Sequence, residues 1–367
     1  MQTNKIFFLI ALLYLAAFFA HTLILKKTVY GDGIYYYSWV QSLVVDHDIR
    51  FTAPQPTTPL GLVGNKYAVG PAILWSPWFV WIHILARGTG YEMVYQLAVG
   101  FSSVLYAITG LILLFILLNK YFSKSASLAA IIATAGATNL LFYGAIDPVN
   151  SHAVSFFAAV LFLTVLFMKK RNWFFIGCTL GLIGLIRSQD LLYGLLVLPY
   201  IKPQNIFRFV LGLLLIFLPQ LTVWQLLYGT FWISPYINNI EGFNFTQPHI
   251  LSVLFSLQNG LVLWTPVVLL GFIGLFKKNN TIHLFFMAGI VFIQLYLVSS
   301  WSIWWQGASY SGRMFVSVLP VLAFGMANLL SIFDNPRFRT TILLYAITLP
   351  LSAINAMMIV YFLLTHT

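Results

Sequence analysis

Charged residues in this sequence sit in short clusters, and the stretches between them are apolar runs long enough to cross a bilayer. That alternation constrains the fold more than any motif does. Of 367 residues only 7% are charged, against about 25% in a soluble domain. Too few charges exist to cover a water-facing surface, so the chain reads as an all-α polytopic membrane protein. The net charge of +11 is scattered in twos and threes between apolar runs. That is the pattern of loops facing the cytoplasm, and it gives nucleic acid no basic face to bind. Cys178 is the single cysteine, which excludes an intrachain disulfide and a thiolate metal cluster.

An apolar helix of about 20 residues crosses the hydrocarbon core. By that measure eleven spans are expected, near 6–25, 93–118, 126–145, 153–168, 172–186, 191–201, 207–228, 257–276, 281–299, 314–332 and 340–363. The first reads as an uncleaved anchor. Residues 69–86 are apolar enough to be a twelfth, but they carry Pro71, Pro77, Trp75, Trp78 and Trp81. Proline removes helix hydrogen bonds and tryptophan prefers the membrane interface. Charge decides between the two counts. With 69–86 interfacial and the N-terminus inside, Lys169-Lys170-Arg171 and most other basic clusters face the cytoplasm, with Asp334 the one acid beside them. If 69–86 crosses, those clusters move outside, against the positive-inside bias. The expected arrangement is therefore a bacterial cytoplasmic-membrane protein with a large first extracytoplasmic loop, 26–92, built of interfacial helices.

That loop opens with Tyr30-Gly31-Asp32-Gly33-Ile34-Tyr35-Tyr36-Tyr37, and it holds three of the eight acidic residues: Asp32, Asp46 and Asp48. Asp32 between two glycines suits a general base that takes a proton from a hydroxyl nucleophile; it equally suits a turn or helix cap. Tyr35 and Tyr36 beside it are candidates for substrate contact. Asp46-His47-Asp48 has the alternating carboxylate spacing that holds a divalent cation, Mg or Mn, or else it is a solvated, capped loop. Asp147-Pro148-Val149-Asn150-Ser151-His152 joins two spans on the same side. Its Asp147 and His152 could contact substrate or bond within their own loop. Arg187-Ser188-Gln189-Asp190 places charge at membrane depth, where it serves either as a structural tie or as a phosphate contact. Lys66 and Arg313 are further cations on this side, the latter read equally as a snorkelling anchor.

These features together resemble the GT-C glycosyltransferases, polytopic enzymes that use polyprenyl- or dolichyl-phosphate sugars. The likeness is to the protein O-mannosyltransferase and lipid A aminoarabinose-transferase branch. There an acidic pair precedes a tyrosine, whereas here Gly33 stands in place of the second acid. Lys66-Tyr67-Ala68-Val69-Gly70-Pro71-Ala72-Ile73-Leu74-Trp75 looks like a diverged form of the branch's basic, proline-bearing entrance to an interfacial helix. Asn119-Lys120-Tyr121-Phe122 and Gly181-Leu182-Ile183-Gly184-Leu185-Ile186-Arg187 match two later span ends. The resemblance covers roughly residues 6–225. It implies a GT-C-like module over 1–228 and a variable transmembrane region over 229–367, with no separate soluble domain.

The resemblance implies Asp32 as the acid near the acceptor, with Lys66 and Arg187, joined by Arg313, as the donor-phosphate site. The expected reaction moves a sugar, with inversion, from a polyprenyl-phosphate donor to an envelope glycan, lipid or protein on the extracytoplasmic face. Relatives with this donor type often need no cofactor, and a divalent cation, Mg or Mn, at Asp46 and Asp48 is the one to test. Two other readings remain open at this level: a flippase for lipid-linked sugars, and a non-catalytic partner in envelope assembly.

Overall fold

The computed structural model describes residues 2–52, 55–236, 241–277, 282–333 and 340–366. Asp334, Arg337 and Arg339, expected among the cytoplasmic charges, lie outside the described residues. The described chain is helical throughout, and its strand-like pairing is limited to two isolated bridges, Thr57 with Val63 and Phe243 with Trp301. In chain order the helices are α1 (Gln2–Leu25), α2 (Gly33–Gln41), α3 (Gly70–Ala86), α4 (Met93–Leu118), α5 (Lys124–Gly136), α6 (Ser151–Leu166) and α7 (Trp173–Ile186). They continue with α8 (Pro203–Tyr228), α9 (Ile250–Phe255), α10 (Leu261–Trp264), α11 (Val268–Phe276), α12 (Ile282–Ser300), α13 (Leu319–Leu330) and α14 (Thr340–His366).

Among the described residues, six helical stretches are long and apolar enough to cross a membrane: Thr3–Leu25, Met93–Leu118, Pro203–Tyr228, His283–Ser300, Arg313–Phe333 and Tyr345–Thr365. The chain is thus a multi-pass membrane protein. The other expected spans take shorter or broken forms, each for a local reason. Residues 257–276 divide into α10 and α11 because Pro266 forces Thr265 out of helical geometry (φ −135°, ψ 68°). Residues 126–145 end as α-helix at Gly136 and finish in a π-helical turn, Phe142–Ile146. The carbonyls freed there are taken by Asn355 of α14, whose Nδ2 donates to Gly136 O at 2.8 Å and Thr138 O at 3.0 Å. Residues 188–197 form a 3₁₀ helix. At about 2 Å per residue, ten residues reach about 20 Å where an α-helix would reach about 15 Å. That extra length carries the chain from Arg187 to Tyr200, at opposite ends of the bundle.

Helix pairs approach closely where glycines face each other's backbone. A Cβ on Gly177 of α7 would overlap Phe209 O of α8, and one on Gly274 of α11 would overlap Gly325 of α13. Without a hydrophobic drive between helices in lipid, such small-residue contacts hold them by van der Waals packing.

Side-chain contacts sort the loops into two poles. At one, Thr28 after α1 donates through its Oγ1 to Gln96 O in the first turn of α4 at 2.9 Å, and the end of α7 meets the start of α6. At the other, Tyr121, Phe167, His283 and Phe324 pack ring to ring, and Arg171 lies 4.1 Å from the Tyr200 ring. Helix α3 runs antiparallel to the first half of α4 only. His83 meets Tyr95, Trp75 Nε1 donates to Ser103 Oγ at 2.8 Å, and Tyr106 donates to Leu74 O at 2.9 Å. That overlap is about 17 Å of a helix about 39 Å long.

Candidate active site

Asp32 is brought into place by a turn between two glycines. Gly31 has φ +54°, a left-handed conformation that L side chains rarely adopt. Gly33 lies so close to Val149 that a Cβ would overlap the Val149 carbonyl. Asp32 occupies the N-cap position of α2, yet its side chain makes no capping bond. Its carboxylate instead meets Arg313 Nη1 at 2.7 Å and accepts from the Tyr67 hydroxyl at 2.8 Å. The side chain remains one-third exposed. The capping role is thus set aside and the carboxylate is presented to an opening.

The close approach at Gly33 accounts for the absent second acid. Any side chain there would displace the loop between α5 and α6, and that loop supplies a carboxylate of its own. Tyr30 donates to Ile146 O at 2.9 Å, which seats Asp147 near Asp32. Burial and the neighbouring negative charge of Asp32 push the Asp147 carboxyl up to about 7, against the opposing pull of Arg313.

A buried cation, Arg187, reaches the residue after Arg313. Arg187 follows α7 in extended backbone (φ −151°). Its Nη1 donates to His152 Nδ1 at 2.9 Å, its Nη2 reaches Met314 Sδ at 2.9 Å, and its Nε lies 3.7 Å from Asp190 Oδ2. Asp190 accepts in turn from Ser317 Oγ at 3.0 Å. An arginine in a protein stays charged and can only donate. His152 therefore accepts through Nδ1 and carries its proton on Nε2. Both readings of Arg187 survive: it is tied to Asp190, and the tie fixes it at the site.

Tyr36, on α2, donates to Ser151 Oγ at 3.0 Å, next to His152. Burial raises its phenol. Tyr35 stacks on Tyr67, ring centroids 5.2 Å apart. Tyr67 is held by its neighbours: its carbonyl accepts from Trp39 Nε1 at 2.9 Å and its amide donates to Asn65 Oδ1 at 3.1 Å. Arg313 opens a 3₁₀ turn, Arg313–Val318. The loop before it takes positive φ at Gln306 (+59°) and Ser311 (+51°). Such residues cost about 1–3 kcal/mol each and persist where surroundings fix them. Here Gln306 Oε1 accepts from Met314 N at 2.9 Å and Ser311 Oγ meets Thr265 Oγ1 at 3.1 Å.

Lys66 departs from the expected trio. Its ammonium pairs with Glu241 at 2.5 Å and lies 5.4 Å from the Tyr236 ring. Its charge is already matched, although it neighbours Tyr67. Asp46 and Asp48 stand apart. Asp46 is exposed. The backbone N–H of Arg50 (2.9 Å) and the Ser42 hydroxyl (2.8 Å) hold the Asp48 carboxyl below its usual range. Among the described residues no group of three or more His, Cys, Asp or Glu side chains is placed to hold a metal ion. The carboxylate best placed for a cation, Asp32, already has one in Arg313. At Asp48 the carboxylate is already engaged by Ser42 and the Arg50 N–H, and at Asp32 by Arg313 and Tyr67.

The structure thus joins Asp32, Tyr35, Tyr36, Asp147, His152, Arg187 and Arg313 in one place. Tyr67 and Glu241 are the neighbours of these residues that the sequence reading did not single out. Tyr67 stands inside the quoted Lys66 motif, and Glu241 is one of eight acids; scarcity was the available signal for the second.

No protein-family model and no curated protein sequence matches the chain. Solved structures do. The Archaeoglobus fulgidus oligosaccharyltransferase, in a complex with Zn and sulfate, superposes with a TM-score of 0.58 at 14% identity, covering 96% of this chain and 52% of that one. The same organism's AglB, bound to an inhibitory peptide and a dolichol-phosphate, gives 0.57 at 14% identity over 97% of this chain and 54% of that one. Its apo form gives 0.57 at 13% identity. The chain spans about half the length of these structures. At such identity the match speaks for architecture, and the architecture is the GT-C fold of the archaeal oligosaccharyltransferase.

Proposed function

We propose that the chain is an integral-membrane glycosyltransferase that takes a sugar from a polyprenyl-phosphate donor at the extracytoplasmic face of a bacterial inner membrane. The acceptor would be an envelope glycan, lipid or protein hydroxyl, and the relatives in kind would be the O-mannosyltransferase and aminoarabinose-transferase branch. The observation that carries this reading is the pairing of a partly exposed carboxylate, Asp32, with Arg313 at 2.7 Å, while the buried Arg187 reaches Met314, the residue after Arg313, in a GT-C fold. A dolichol-phosphate bound to one structural neighbour is in keeping with a lipid-linked donor.

In this reading the acceptor oxygen attacks the anomeric carbon while its proton passes to Asp32. The bond from that carbon to the phosphate oxygen breaks, and the electron pair leaves with a polyprenyl phosphate. One displacement inverts the centre. The leaving group is a stable anion, so charge stabilisation matters more than acid catalysis. Arg313 and Arg187 supply it, and Arg313 has an Nε without a hydrogen-bond partner in the structure. Lys66, paired with Glu241, lies 5.5 Å from the Tyr67 ring. An open cavity of about 410 Å³ lined by Leu191, Leu192, Leu195, Leu198 and Leu297 begins at Ser188, the residue after Arg187. It suits an isoprenoid chain whose phosphate reaches Arg187.

The test is transfer from a radiolabelled polyprenyl-phosphate sugar by the purified protein, wild type beside Asp32→Asn. Loss of a general base lowers the rate about 100- to 10,000-fold. A correctly inserted Asp32→Asn protein with wild-type turnover would remove Asp32 from the mechanism.

A further inference from the structure

The first loop carries polar side chains that the proposed reaction leaves unused. An open cavity of about 490 Å³ lies beyond α2, lined by Leu43, His47, Asp48, Ile49, Arg50 and Leu62. Small-molecule sites span about 300–1,000 Å³ and set a few polar groups against apolar walls. We propose that this cavity binds a neutral sugar, as a distal subsite for an oligosaccharide acceptor whose reacting end lies at Asp32.

The chemistry of the lining selects the ligand. Leu43, Ile49 and Leu62 supply an apolar surface, which suits the C–H face of a sugar ring. The Asp48 carboxylate and the Arg50 guanidinium cancel in charge, so the cavity favours neither an anion such as a lipid phosphate nor a cation. It offers acceptors and donors to hydroxyl groups. Both bonds that hold Asp48, from Ser42 Oγ at 2.8 Å and from Arg50 N at 2.9 Å, fall on Oδ1. Among the described residues Oδ2 takes no hydrogen bond, which leaves it for a ligand hydroxyl. The backbone around the cavity is irregular as well. Helix α2 runs on into a π-helical turn, Ser42–Asp46, and His47 follows with φ +56°. Both features recur at functional sites, where surroundings hold them against their cost.

The cavity is tied to Asp32 by two parallel tracks. One is α2 itself. The other is the segment 62–67: Asn65 Nδ2 donates to Tyr35 O at 2.9 Å and to Ser38 Oγ at 3.3 Å, and Trp39 Nε1 donates to Tyr67 O at 2.9 Å. Leu62 at one end of that segment lines the cavity, and Tyr67 at the other is bonded to Asp32. Ten helical residues from Asp32 to Ser42 span about 15 Å, longer than one sugar ring and within reach of a short oligosaccharide. That the bound sugar belongs to the acceptor rests on the transferase reading; sugar binding at the cavity does not.

The experiment is saturation-transfer difference NMR on the purified full chain in a sugar-free detergent, titrated with maltotetraose, N-acetylated chitotetraose and mannotetraose, each beside its monosaccharide. At least one tetrasaccharide should take up saturation from wild type, and more strongly than its monosaccharide. Arg50→Ala, and Leu62→Trp, which fills the cavity, should each weaken that binding at least about tenfold. Arg50 is exposed, so its replacement leaves the packing intact should Leu62→Trp fail to fold. A wild type that binds none of the three overturns the subsite, and so does a tetrasaccharide bound equally well by wild type and both variants. Displacement of the sugar by glycerol phosphate overturns it in favour of an anion site. Sugar binding that both variants lose, in a protein that transfers no sugar, leaves the subsite standing and sinks the transferase reading. Transfer with an acceptor KM unchanged in both variants does the reverse.

Discussion

The two poles of the bundle use charge differently. Every ion pair among the described residues lies at the Asp32 pole: Lys66 with Glu241, Arg187 with Asp190, and Arg313 with Asp32. Each cation there comes from a different loop or helix end, and two of the three pairs join residues far apart in the chain. Among the described residues at the Arg171 pole, the basic side chains form no ion pair. Arg171 donates to Leu166 O at 3.1 Å and covers the Tyr200 ring, while Lys277 donates to Asn328 O at 2.9 Å. Cations that end helices and cover rings anchor a membrane protein. Matched pairs held at fixed distance, one of them open to solvent, cost desolvation that stability does not require. The contrast is what the proposed function predicts, with the Asp32 pole as the chemical one.

If the poles lie on opposite sides of the membrane, the difference in labelling is all or none. In a Cys178→Ala background, Leu60→Cys should react with an impermeant maleimide from outside intact cells, and Lys170→Cys should react only after permeabilisation. Both positions are exposed. Labelling of position 170 in intact cells would reverse the proposed orientation. The next largest effect is expected at Arg187. Arg187→Ala leaves Asp190 buried without its cation, a loss of about 3–5 kcal/mol by thermal or denaturant unfolding. A change below about 1 kcal/mol would show the pair to be dispensable.

A smaller effect follows from Asp147, whose carboxyl is raised to about 7 in the folded chain from an ordinary 3.8. A raised acid binds its proton more tightly when folded, so its contribution to stability is full below about pH 4 and is lost as pH rises through 7. Asp147→Asn should flatten the wild-type fall in melting temperature across that window. Parallel pH profiles for the two proteins would show that Asp147 does not titrate there. The smallest effect belongs to the other pole: Arg171→Ala should cost about 0.5–1 kcal/mol of stability and leave transfer activity within about twofold. A larger fall in activity would erase the distinction between the poles.

Hydropathy made much of this legible in advance, because a membrane span is a local property of about 20 consecutive residues. The runs at α1, α4, α8 and α12 appear where the sequence places them. It failed where a distant side chain or a proline intervened. Helix α5 ends at Gly136, where Asn355 takes the freed carbonyl, Pro266 splits 257–276, and the 188–197 segment stretches into 3₁₀ geometry. At the site, Asp32 was legible from its glycines and its place after α1. The exclusion of a second acid at position 33 was not, since it depends on Val149 O lying against that Cα.

By itself, then, the sequence settled that the chain is a multi-pass membrane protein and narrowed the candidate side chains to a short list. Both follow from scarcity: eight acids among 367 residues leave few places for chemistry. Tertiary structure settled which charges meet. Lys66 and Glu241 stand 175 positions apart, and no local pattern encodes that they pair while Arg313 goes to Asp32. Contacts at such separation are chosen by how helices pack, and only the folded bundle shows that the cation beside Asp32 is one of its own arginines.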